Sequence, residues 1–165
     1  GLTPAALHVY IGNLESKLTC DLLQLLRRQF TELQPMLSLG QALAASGQCG
    51  ACMDNTDGIG QSLSELSVAS KCAFVVRSSC LKIPPVVDKV SHLIDQSPLS
   101  FIFDGGADFS LVGTLSGRWS NEDATAEFGH PLEIIGCVEE GKGVWLETDK
   151  RHPLEFRGWN YFAQK

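Results

Sequence analysis

The sequence predicts an α+β fold, helix-rich over residues 1–96 and β-rich over residues 97–165, and three observations carry that expectation. Leu14, Leu18, Leu22, Leu25, Leu26, Phe30 and Leu33 recur at three- and four-residue spacing, the period of one helix face. Residues 99–103 and 109–115 flank the turn Asp104-Gly-Gly-Ala-Asp108, and residues 132–138 and 144–147 flank Glu139-Glu-Gly-Lys-Gly143. An apolar run that breaks at a polar, Gly-rich turn and then returns is a β-hairpin signal. Finally, 165 residues at 44% hydrophobic and 19% charged are enough for one core and few for two. The chain is therefore expected to form a single domain spanning residues 1–165, with one long and two shorter helices packed on a mostly antiparallel sheet.

Taken in order, Leu7-His-Val-Tyr-Ile11 reads as a short strand ended by Gly12-Asn13. The Asn13 side chain is placed to cap a helix over residues 14–33 by accepting a bond from a free N–H of its first turn. Pro35 ends that helix, because proline lacks a donor and disfavours helix at the residue before it. Residues 36–45 read as a second helix with Gly40 as its weak point. Residues 46–60, rich in Gly, Asn and Asp and carrying two cysteines, read as a loop of a length that tends to be functional or disordered. Ser62-Leu-Ser-Glu65 matches a capping box and predicts a helix to about Ser70. Residues 71–77 read as a strand, and Pro84-Pro85 opens a helix whose apolar stripe is Val86, Val87, Val90, Leu93 and Ile94. The sheet is then the four hairpin strands, with residues 71–77 and 9–11 added at an edge or the centre, and one helical turn near Asn121 between the hairpins.

Composition excludes several functions. A net charge of −6 leaves only Arg27-Arg28 and Lys150-Arg151-His152 as basic clusters, and nucleic-acid binding needs a basic face. No apolar run reaches the roughly 20 residues that span a bilayer, and residues 1–7 lack the basic-then-apolar pattern of a signal peptide. Six cysteines permit three disulfides in a secreted protein, but a chain of this size folds without them. The expectation is a reducing, cytoplasmic setting, with secretion and disulfides as the alternative.

The sharpest candidate site is Cys49-Gly-Ala-Cys52. Such a pair can place two thiolates on one metal, and Cys72 with Cys80 would complete a tetrahedral structural zinc site, although their spacing of eight departs from the usual three. The same pair can be read as redox-active, but Asp54 and Asp57 nearby work against a low thiol pKa. The plainest reading is two loop cysteines or one disulfide. Asp54-Asn-Thr-Asp-Gly58 fails as an EF-hand loop, because Met53 and Ser64 would fall where carboxylates are required. Asp104 and Asp108 could offer carboxylates to a hard cation, but a turn needs the same residues for backbone reasons.

Hydrolase, zincin, Walker and dinucleotide motifs are absent, and the four histidines are scattered. A Cys137–His130 pair is open, but nothing selects it. Trp159, Tyr161 and Phe162, with Phe156, either close the core as a last strand or form a partner-binding surface. Three classes result. A non-catalytic binding or regulatory domain with a protein partner and no cofactor leads, followed by a zinc- or thiol-site protein, and then by an enzyme with a dispersed active site. Oligomeric state is left open.

Overall fold

The computed structural model describes residues 1–157. It is α+β, as the sequence predicts, with mostly antiparallel sheets. The helices are α1 (Leu2–Ile11), α2 (Cys20–Thr31), α3 (Leu37–Ser46), α4 (Ile59–Ser70), α5 (Pro85–Leu93), α6 (Pro98–Phe103) and α7 (Asn121–Phe128). The strands are β1 (Cys49–Asn55), β2 (Cys72–Arg77), β3 (Ser110–Leu115), β4 (Gly136–Glu140), β5 (Val144–Glu147) and β6 (Arg151–Pro153).

Neither predicted hairpin forms. β3 pairs antiparallel with β1, not with residues 99–103, which are helix α6. Ser97 caps that helix by accepting the Leu99 N–H, and Pro98 occupies its first turn, where a missing N–H costs nothing. The second predicted hairpin is split by β2, giving the order β4-β2-β5-β6. β2 is buried at Ala73, Phe74, Val75 and Val76. A strand apolar on both faces belongs in the middle of a sheet, and here it pairs antiparallel with β4 and parallel with β5.

The first turn of the chain also differs from expectation. Residues 7–11 belong to α1, whose Ala5, Ala6 and Val9 are fully buried against Leu26, Val86, Val87, Val90 and Phe101. Asn13 takes φ +52 just past α1 and caps nothing downstream. The long helix is interrupted by an extended Leu18, leaving a 3₁₀ turn at Glu15–Lys17 and then α2. α2 ends at Thr31, four residues before Pro35. Ser62 lies inside α4, one turn beyond its N-cap Gly58.

The main core lies between α4, α6 and both sheets, through Leu63, Leu66, Phe74, Phe103, Val112 and Leu146. Leu39, Leu43, Ala124 and Phe128 make a third cluster, joining α3 to α7. Among the described residues no helix is long and apolar enough to cross a membrane.

Candidate functional site: a pair of Asp- and Gly-rich loops

Asn55 at the end of β1 pairs with Ser110 at the start of β3. The segment leaving β1, Thr56-Asp57-Gly58, therefore lies beside the segment entering β3, Asp104-Gly-Gly-Ala-Asp108. The Ala107 N–H donates to the Thr56 carbonyl at 2.7 Å and the Phe109 N–H to the Asn55 carbonyl at 3.2 Å. Two motifs that read separately as turns are one structural unit.

Glycines make the crossing possible. A Cβ on Gly58 would stand 2.6 Å from the Phe103 carbonyl oxygen and 2.9 Å from that of Gly105. A Cβ on Gly106 would overlap the Thr56 carbonyl, and one on Gly105 the Pro4 ring. Ala107 and Phe109 both hold positive φ, at 61° and 50°. Such conformations cost free energy, persist only where surroundings impose them and cluster at functional sites.

Behind the loops, Asn55 is buried and its Oδ1 accepts the Ser62 hydroxyl of α4 at 3.3 Å. The Asp108 carboxylate accepts the Thr3 N–H at 3.0 Å and also faces the Gly1 amino group. Asp104 accepts the Arg157 N–H at 2.7 Å. Asp54 and Asp57, by contrast, enter none of the ion pairs among the described residues, and Asp54 is exposed. α4 starts directly at this loop with no side chain capping it, and a helix N-terminus favours anionic groups. An open groove of about 520 Å³ begins at Asp104 and continues past Leu99, Phe103, Leu146, His152 and Leu154.

The zinc expectation is corrected. Cys49 and Cys52 lie on β1 rather than in a loop, Cys72 opens β2, and Cys80 ends a 3₁₀ turn. Among the described residues no three His, Cys, Asp or Glu side chains gather as a metal group, so Cys72 and Cys80 do not complete a Cys₄ site. All six cysteines are free thiols. Burial, then the charge and hydrogen bonding of the neighbouring Cys49 thiol, push the Cys52 thiol up, which opposes the thiolate needed for rapid redox chemistry.

His130 bonds Ser38 at 2.9 Å, while Cys137 belongs to a ring of groups on the four-stranded sheet. There Arg77 contacts Cys137 and Glu147, Cys137 contacts Glu139, and Arg151 bonds both Glu139 and Glu147. Hydrogen bonds from Arg151 hold the Glu139 carboxyl below its usual range. Trp159, Tyr161 and Phe162 lie outside the described residues.

The sequence is similar to that of thiamine-monophosphate kinases. The enzyme of Archaeoglobus fulgidus is 30% identical over 130 residues, covering 78% of this chain and 37% of the relative. That of Nitrosopumilus maritimus is 28% identical over 113 residues, covering 67% of this chain and 35% of the relative. The solved structure of AaThiL complexed with AMPPCP and TMP shares the fold at a TM-score of 0.75 and 20% identity, over 98% of this chain and 48% of that one. The chain thus spans little more than a third of the length of these curated relatives. No family model matches. Relatives named as kinases overturn the expectation of a non-catalytic binding or regulatory domain.

Proposed function

We propose that this chain is part of a thiamine-monophosphate-kinase-type enzyme, and that its paired loops at residues 56–58 and 104–108 face the phosphates of the transfer. The observation that carries this reading is the backbone-to-backbone crossing of those loops at the start of α4. Phosphoryl transfer asks a protein mainly for positioning and for compensation of charge on phosphate oxygens. A glycine-lined crossing lets a ligand approach the backbone closely, and a helix N-terminus adds a favourable field.

The reaction moves the γ-phosphoryl group of a nucleoside triphosphate onto the phosphate of thiamine monophosphate, leaving a nucleoside diphosphate and thiamine diphosphate. A magnesium ion travelling with the nucleotide is normally held by one or two carboxylates plus phosphate oxygens, and it neutralises charge as the phosphoryl group moves. Asp57 of the first loop and Asp54 near the end of β1 are the carboxylates whose chemistry, and whose lack of ion pairs among the described residues, fit that role. Asp104 and Asp108, engaged by backbone N–H groups, hold the second loop in place. Six free thiols are in keeping with a reducing, cytoplasmic setting.

The test is calorimetric titration of the full chain, with magnesium present, by thiamine monophosphate and by AMPPCP. At least one should bind, and Asp57→Asn should weaken it by about 10- to 100-fold, the loss of one charge-assisted contact. A folded chain that binds neither ligand overturns the reading.

A further inference from the structure

We propose that Cys49 and Cys52 together form a binding site for a soft, low-coordinate cation of the Cu(I) type. In a regular strand, residues three apart point to opposite faces. β1 is not regular there: Cys49 pairs with Leu115, Ala51 with Thr114 and Cys52 with Gly113, so Gly50 is an inserted residue. Leu115 and Gly113 are two apart on β3 and share a face, and the bulge therefore turns Cys49 and Cys52 to one side.

Two further contacts fit a site between the sulfurs. The Cys49 thiol leans forward along the strand and donates to the Ala51 carbonyl at 3.5 Å. The Ala51 N–H, which a bulge leaves without a ladder partner, is taken by the Thr114 hydroxyl at 3.0 Å, which fixes the bulge. Opposite Cys52, Gly113 lies close on β1: a Cβ there would stand 2.5 Å from the Ala51 carbonyl oxygen and 3.3 Å from the Cys52 Cβ. Cys52 is exposed, so its sulfur is accessible to an incoming ion.

Two thiols with no third ligand determine the kind of ion. Zinc in a structural site takes four protein ligands, and no third His, Cys, Asp or Glu joins this pair among the described residues. Soft thiolates select Cu(I) among the common cellular ions. A disulfide is a poorer fit, because two residues along β3 separate the Cα atoms by about 7 Å, at the upper edge of disulfide geometry. Binding forms two sulfur–metal bonds and releases two protons, one from each thiol.

The proposal is independent of the kinase reading. Its test is anaerobic titration of the full reduced chain with Cu(I) against a chromogenic Cu(I) chelator, with size-exclusion chromatography of the loaded protein. One ion per monomer should be retained against the chelator. Retention should be lost in Cys49→Ser and in Cys52→Ser but kept in Cys72→Ser, Cys80→Ser and Cys137→Ser. Circular dichroism of each variant shows whether it is folded. Retention by a folded Cys49→Ser or Cys52→Ser chain overturns the proposal, as does Cu(I) held only by a dimer bridged between two copies.

Discussion

Replacing Gly58 by alanine tests whether the loop crossing depends on the backbone itself. Gly58 holds φ +98° and ψ 149°, a region nearly closed to residues with a side chain, at a cost of about 1–3 kcal/mol. The added Cβ would also stand 2.6 Å from the Phe103 carbonyl oxygen and 2.9 Å from that of Gly105. Phe103 is buried in the main core and Gly105 is packed against Pro4, so neither carbonyl has room to retreat. Overpacking of this kind adds about 1–3 kcal/mol. Gly58→Ala should therefore destabilise the chain by about 2–6 kcal/mol, lowering Tm by roughly 10 °C in a protein of this size. Gly129→Ala is the internal control. Gly129 holds φ +67° with nothing within 4 Å of its Cβ position, so it should show only the left-handed penalty of about 1–2 kcal/mol. Urea unfolding followed by circular dichroism reads both variants. Equal losses would refute the claim that close approach of two loops, and not φ alone, requires glycine at residue 58.

Three further outcomes follow from other contacts. Leu26→Ala removes a fully buried side chain where α2 packs on α1 and α5. It should cost about 2–5 kcal/mol in urea unfolding, and a loss below about 1 kcal/mol would mean that this contact is misread. Asp108→Ala removes the acceptor of the Thr3 N–H and should cost about 1–3 kcal/mol, seen as faster hydrogen exchange in the first turn of α1. Unchanged exchange there would show that the tie is idle. Hydrogen bonds from Arg151 lower the Glu139 pKa in the folded chain. A depressed folded pKa means that the ring of charges stabilises the fold above the ordinary carboxylate pKa and loses that effect as pH falls through the folded value. NMR titration should find Glu139 below its usual pKa, and Arg151→Gln should return it there; a normal value in the unmodified chain contradicts the ring.

The fold class was legible because it rests on periodicity. The Val86, Val87 and Val90 stripe and the buried run at Phe74, Val75 and Val76 each appear where their spacing places them. Pairing was not legible, because a hairpin signal reports two compatible strands and not the buried strand that comes between them. β2 comes from more than sixty residues before β4, and only its burial on both faces marks it as a central strand. β1 was missed because Gly, Asp and Asn have low strand preference, although Ala51 and Met53 alternate with the exposed Cys52 and Asp54 as a half-buried strand should. Ser97-Pro98 is a helix start that outweighs the short apolar run after it. Both motifs of the candidate site were visible as turns, but their partnership was not. It is made by backbone bonds between residues about fifty apart, for which a single sequence carries no signal.

The antiparallel pairing of β1 with β3 also has a kinetic consequence. Closing a loop of some fifty residues must precede any contact between residues 56–58 and 104–108, and such long-range pairings slow folding. The site therefore has no local precursor. A peptide carrying either loop alone lacks the other wall, and during synthesis the first loop waits until β3 has been made. Binding at this crossing thus reports on the completed chain, which makes ligand affinity a sensitive measure of whether refolded material has reached its native topology.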